Sequence, residues 1–260
     1  MLDEQGGVGE SGGAGGQHDA SDTVRPADVP RFHRATFDRT RPERRQAVLD
    51  VAVDLFSTQG YAATSINDVA RAAGISIGAM YSYFASKEDL FLTVIDHACS
   101  LMEDVLREVA AESADLIDYT RRMLAACREY GQTHAGLTRL YLSISTQALS
   151  GLSARVSDQL EATTPQILIG LIRDAQRAGT VRADADPQVW AMCIDDLFMM
   201  YQYSFASDYH RERLRLYLGG TVLRGSGSGA EAAGGHGDPD DPATVEAGIL
   251  AFITAALRPS

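Results

Sequence analysis

Residues Thr64–Phe91 read TSINDVARAAGISIGAMYSYFASKEDLF, and this stretch decides the fold. A hydroxyl at Thr64 or Ser65 can accept from free backbone N–H groups, with Asn67 or Asp68 three residues on, so a short helix opens there. Ile66, Val69 and Ala70 give that helix one apolar face. Gly74 accepts the positive φ of a tight turn at no steric cost. Ser76 can then cap a second helix through Tyr83, and Ser86 with Asp89 can cap a third. Helix, glycine turn, helix and a fresh cap spell a helix-turn-helix, whose second helix would enter the major groove of DNA.

Working outward toward the N-terminus, Thr40 or Arg41 introduces a helix with Pro42 and Glu43 in its first turn. Val48, Ala52, Leu55 and Phe56 recur along it at the helical period, and Gly60 stops it. Its stripe needs a partner, which Ile66, Val69, Ile75, Met80, Phe84, Leu90 and Phe91 can supply. Residues 37–86 are therefore expected to form a three-helix domain. Residues 1–36 are rich in Gly, Ala, Asp and Pro, without apolar periodicity, and are expected to be a disordered tail.

Toward the C-terminus the pattern continues as one long helix through Val94, Ala98, Leu101, Val105 and Val109. Further helices are expected near 115–133, 137–150 and 153–178, followed by one opened by Pro187 and a last one capped by Asp241 with Pro242 at its first position. Residues 87–258 thus predict a larger helical domain. Its segment 225–240, within SGSGAEAAGGHGDPD, is flexible by composition. Little alternates at period two, so the fold class is all-α.

The 260 residues carry a formal net charge of −12, an unpromising total for a nucleic-acid binder. The placement of the charge points the other way. Arg25, Arg31, Arg34, Arg39, Arg41, Arg44 and Arg45 crowd just before the helix-turn-helix, against Asp28, Asp38 and Glu43. Three scattered cysteines, Cys99, Cys127 and Cys193, argue against a disulfide framework and a zinc cluster. No apolar run is long enough for a membrane span and no signal peptide is evident, so a cytoplasmic protein is expected.

The ordered set AVDLFSTQGYAATSINDVARAAGISIGAMYSYFASKEDLF strongly resembles the tetracycline-repressor (TetR) family of bacterial transcriptional regulators, over about a fifth of the chain. The resemblance implies an N-terminal DNA-binding domain and a variable C-terminal domain that binds a small ligand. It also implies a homodimer, commonly through a four-helix bundle made from the last two helices of each subunit, on a pseudopalindromic double-stranded operator. Carried over by position, Ser65 lies near phosphate, Ser76, Ile77, Gly78 and Ala79 begin the recognition helix, and Tyr81 and Ser82 match contact positions. Lys87, the only lysine in the chain, stands at the family's phosphate-binding lysine. Arg39 and Arg41 join this DNA-binding set. Ile77 departs from the lysine that relatives often carry; it can touch a thymine methyl but cannot donate to phosphate or guanine.

Candidates to line a ligand pocket are Cys127, Tyr130, His134, Tyr141, Trp190, Cys193, Met199 and Tyr203, aromatic or soft side chains in apolar helices. Asp195 and Asp196 sit in one apolar helix about 100° apart, so they share no face; solvent exposure is expected for them. No GxSxG, HExxH, GxxxxGK or glycine fingerprint occurs, so no catalytic residue, metal or cofactor is assigned and no enzyme is expected. The function this implies is a ligand-responsive regulator, a repressor released from its operator by a small molecule. The alternative is a helical dimeric interaction protein that no longer binds DNA specifically.

Overall fold

The computed structural model describes residues 32–145, 163–218 and 241–259, all of them helix or short connection. No strand occurs among them. The helices are α1 (Ala35–Asp38), α2 (Pro42–Ala63), α3 (Ile66–Ala72), α4 (Ile77–Tyr83), α5 (Lys87–Glu112), α6 (Leu116–Thr133), α7 (Ala135–Ser145), α8 (Thr163–Arg177), α9 (Pro187–Ala206), α10 (Asp208–Leu218) and α11 (Pro242–Leu257). The segment expected to be flexible, 225–240, and the expected helical stretch 153–162 lie outside the described residues.

Short-range chemistry sets most boundaries. Ser65 Oγ accepts from Asp68 N, Ser76 Oγ from Ala79 N and Ser86 Oγ from Asp89 N, so each hydroxyl satisfies a donor that its helix cannot. Gly60 at φ 83° kinks the end of α2, and Gly74 at φ 66° makes the turn between α3 and α4. The choice between Thr64 and Ser65 as cap falls to Ser65. Thr64 is buried and its hydroxyl donates back to Leu55 O at 3.2 Å and Gly60 O at 2.9 Å, closing α2 instead.

Two apolar cores follow. The first gathers Val48, Ala52 and Phe56 of α2, Ile66, Val69 and Ala70 of α3, Met80 of α4 and Leu90, Phe91, Leu92, Val94 and Ile95 of α5. It does not stop at residue 86, because Tyr130 of α6 and Leu137 and Leu140 of α7 are buried in it. The second core joins α6, α8, α9 and α11 through Tyr119, Leu124, Leu168, Ile172, Ile194, Phe198 and Ile253. The described residues all belong to one contact unit, Phe32–Ser260.

The expected tail overran the start of the folded chain. Phe32 and Phe37 are buried, and Ala35–Asp38 is helical. Phe37 packs on Tyr83 and Phe84, with ring centroids 5.4 and 4.8 Å away, and those partners stand more than forty residues along the chain. Nothing in the local pattern announces such a pairing.

Candidate nucleic-acid interface and ligand cavity

The outer face of α4 is built by elimination: Met80 and Tyr83 are buried in the first core, which turns Ser76, Ile77, Gly78 and Tyr81 outward. Ile77 is 51% exposed and Tyr81 43%, high values for large apolar groups. Ala79 and Ser82 are half-buried, and Ser82 Oγ donates to Ala79 O at 2.7 Å. Ser65 is occupied at the start of α3, where its hydroxyl also meets Asp68 Oδ2 at 2.6 Å. That bond, aided by Arg71, holds the Asp68 carboxyl below its ordinary range. Arg39 and Arg41 are exposed on either side of the α1–α2 junction.

Lys87 is engaged inside the fold. Its Nζ donates to Tyr61 O at 2.8 Å and Ala62 O at 3.4 Å, and lies 4.4 Å from the centre of the Tyr61 ring. An ammonium there satisfies carbonyls at the end of α2, where the helix dipole favours a cation. An ammonium has three donors, so one is left for a phosphate.

A cavity of about 340 Å³ lies between α5, α6, α7, α8 and α9. Its walls include Cys127, Tyr130, Tyr141, Met199 and Tyr203, five of the eight residues proposed from sequence, together with Met102, Thr138, Asp195, Phe198 and Gln202. The other three stand elsewhere. His134 is exposed at the end of α6 and stacks on the outer side of Tyr130 at 4.7 Å, Trp190 packs on the second core, and Cys193 is exposed. The reason is register. On α9 the cavity takes Asp195, Phe198, Met199 and Gln202, spaced by three and four, and Cys193 is two residues, about 200°, off that face.

Polar groups in the cavity are few and placed. Tyr130 OH donates to Ala98 O at 3.4 Å, Gln202 Nε2 approaches Thr138 Oγ1 at 3.4 Å, and Tyr203 OH reaches Met199 Sδ at 3.6 Å. Burial pushes the Tyr130 and Tyr203 hydroxyls and the Cys127 thiol upward, with the Asp195 charge adding to the last two. These groups are therefore neutral donors and acceptors, and Cys127 is an unreactive thiol. Asp195 faces the cavity while Asp196 is exposed, so the expectation of solvent exposure holds for only one of the pair. Thr138 and Gln202 were missed in the sequence because a single polar residue in a helix carries no sign of which way it faces.

Residues 48–94, which span α2 to the first turns of α5, match the family model described as bacterial regulatory proteins, tetR family. Over those residues the chain carries a tetR-family regulatory segment. Over 49 residues it is 53% identical to the HTH-type transcriptional regulator AcrR of Shigella flexneri, covering 19% of this chain and 23% of that one. It is 29% identical over 170 residues to the A-factor receptor protein of Streptomyces griseus, covering 65% of this chain and 58% of the relative. In fold, the chain is similar to the regulator FadR of Bacillus subtilis, solved in complex with stearoyl-CoA. That likeness has a TM-score of 0.60 at 15% identity and spans 82% of this chain and 99% of that one. Among the described residues no helix is long and apolar enough to cross a membrane.

Proposed function

We propose that this chain is a homodimeric, one-component transcriptional regulator that sits on a pseudopalindromic operator in the cytoplasm as a repressor and leaves it when a small molecule fills the cavity. It acts by binding alone, without catalysis, metal or cofactor. Ile77, Tyr81 and Ser82 meet bases or sugar, while Ser65, Ser76, Gly78, Ala79 and Lys87 approach the backbone, with dimer geometry setting the half-site separation.

One observation carries the ligand response: α7 is a wall shared by the cavity and the first core. Leu137 lines the cavity and is buried with the helix-turn-helix core. Next to it, Gly136 lies so close to α2 that a Cβ would stand 2.8 Å from Val53 Cγ1. A ligand that moves α7 must move α2, and packed interfaces of this kind switch between arrangements instead of deforming smoothly. The long helix α5, which runs from the Ser86 cap past the cavity, supplies a second connection.

Dimerisation is supported by the outer faces of α9 and α11. Glu246, the single charge in α11, turns inward to Arg128 at 2.7 Å and Tyr201 at 2.8 Å. This leaves Ala247, Gly248, Ala251, Phe252 and Ala255 outside, with Phe252 65% exposed. On α9, Val189, Met192 and Met200 are exposed likewise.

The test is a gel shift with a duplex selected by the protein from a random pool, beside a scrambled duplex, repeated across a small-molecule library. Selective binding at two chains per duplex, released by a compound that also binds the DNA-free protein, is the expected result. By linkage, DNA must weaken that compound by the same factor. A helical dimer without DNA specificity is the second reading, favoured by the exposed Ile77 where a donor would serve better; equal weak binding to both duplexes would establish it.

A further inference from the structure

The cavity differs from one end to the other. Ile95, Cys99, Tyr130 and Leu137 wall it from within the first core, while Leu106, Met123, Cys127 and Phe198 wall it from within the second. Along α5 alone its wall runs from Ile95 to Leu106, about 16 Å of helix at the usual rise, so the space is long.

Polar side chains gather at the first-core end. Thr138 of α7 and Gln202 of α9 meet there, Tyr130 reaches it from α6, and the Tyr203 ring lies 6.4 Å from that of Tyr141 on α7. Their hydrogen bonds are stretched. Thr138 Oγ1 donates to His134 O at 3.4 Å and accepts from Gln202 Nε2 at 3.4 Å, Tyr130 OH donates to Ala98 O at 3.4 Å, and Tyr203 OH has the thioether of Met199 at 3.6 Å. Buried hydroxyls away from the cavity are held tightly: Thr120 donates to Leu116 O at 2.8 Å and Ser204 to Tyr201 O at 2.6 Å, within the ordinary range of about 2.5–3.0 Å. Thr138, Tyr130 and Tyr203 are just as buried, and loosely bonded polar groups in such a place favour any partner that brings a better-placed polar atom.

Resting on the reading of this cavity as the ligand site, we propose that it takes an uncharged amphiphile, a long apolar alcohol or ketone, whose oxygen lies between Thr138 and Gln202 and whose body extends toward Met123 and Leu106. A hydroxyl or carbonyl oxygen can accept from the Gln202 amide and from the Thr138 or tyrosine hydroxyls at normal length. Every described wall residue except Asp195 is uncharged, so none of them would neutralise a carboxylate or phosphate stripped of its water. The Asp195 charge opposes such an anion, and since Asp195 already has a partner a cation gains less from it. Thioethers at the far end adapt to the shape of an apolar body. The seat of the oxygen is on α7, the wall shared with the helix-turn-helix core, so the head group bears on the element that connects cavity and DNA.

The test is calorimetric titration of the full chain with four probes that share one apolar body: 1-decanol, decan-2-one, decanoate and decylammonium. The alcohol and the ketone should bind at least about tenfold more tightly than either ion, because only the ions leave a hydration shell unreplaced. Thr138→Val and Gln202→Leu should each weaken decanol about fivefold, the net worth of one hydrogen bond, with the melting temperature showing that both variants fold. Met123→Leu, at the far end, should keep the preference for the uncharged heads. Tighter binding of decanoate or of decylammonium overturns the uncharged class, the latter in favour of a head group at Asp195. A preference lost in Met123→Leu and kept in Thr138→Val and Gln202→Leu overturns the orientation. Either failure leaves the cavity a ligand site. Binding of none of the four overturns the class, and the cavity reading falls with it if Met199→Trp, which fills the space, still answers the inducer found by gel shift.

Discussion

Lys87 holds the fold together and is also the residue proposed to meet a phosphate. Because its ammonium holds Tyr61 O and Ala62 O, Lys87→Ala should lose stability as well as DNA affinity. A lost helix-end charge and cation–π contact are worth about 1 kcal/mol together. The salt slope should fall by about one unit on specific and unrelated DNA alike, and a titration with unchanged slope would confine Lys87 to its structural part. Tyr119 offers the opposite case. It is fully buried, its ring lies 6.5 Å from Phe198, and its hydroxyl has no hydrogen-bond partner among the described residues. A buried unpaired hydroxyl costs about 1–3 kcal/mol, so Tyr119→Phe should raise the melting temperature. A lower melting temperature would mean that the hydroxyl is satisfied after all.

At the scale of the element, the proposed coupling of the cavity to DNA runs through α7, which the cavity shares with the first core. Enlarging Gly136 should separate α7 from α2 while leaving Tyr130, Tyr141 and Tyr203 around the cavity. For Gly136→Val the expected change is in coupling: the ratio of ligand affinities with and without operator should move by a factor equivalent to about 0.5–2 kcal/mol. Calorimetric titration of the inducer into protein and into protein–DNA complex measures that ratio. A ratio equal to wild type would assign the coupling to α5. Gly131 is a contrasting glycine, since a Cβ there would stand 3.0 Å from Phe205 and 3.1 Å from Gln202 O. There a backbone atom blocks the space, so Gly131→Ala should destabilise the α6–α9 packing by about 1–3 kcal/mol, readable in a denaturant titration.

At the scale of the whole molecule, the proposed dimer would assemble through the outward faces of α9 and α11. Gly248 is exposed and a Cβ there would meet nothing within 4 Å, so the single chain tolerates a larger residue. Gly248→Leu, which also improves helix propensity, should fold normally yet lower the measured mass in light scattering toward one chain. Phe252→Asp should do the same by burying an unpaired charge in the dimer. Dimers of unchanged stability in both variants would move the interface away from α11. Since one helix-turn-helix reads only a half-site, such monomers should also lose selective DNA binding while keeping the inducer.

What the sequence determined by itself was the local grammar. Ser65, Ser76, Ser86 and Asp241 cap their helices, and Gly60 and Gly74 adopt positive φ, because a cap or a left-handed turn is settled within three or four residues. The apolar period then marked which helices exist, and the order of caps and glycines carried the family. Which faces meet was left to the tertiary structure. Only packing could place Phe37 on Tyr83 and Phe84, seat the Lys87 ammonium on a carbonyl 26 residues away, or tie Arg128 to Glu246 at a separation of 118. The same holds for the cavity: Tyr130 and Trp190 look alike in an apolar helix, and only the neighbours that cover each face decide that one lines a wall while the other packs a core.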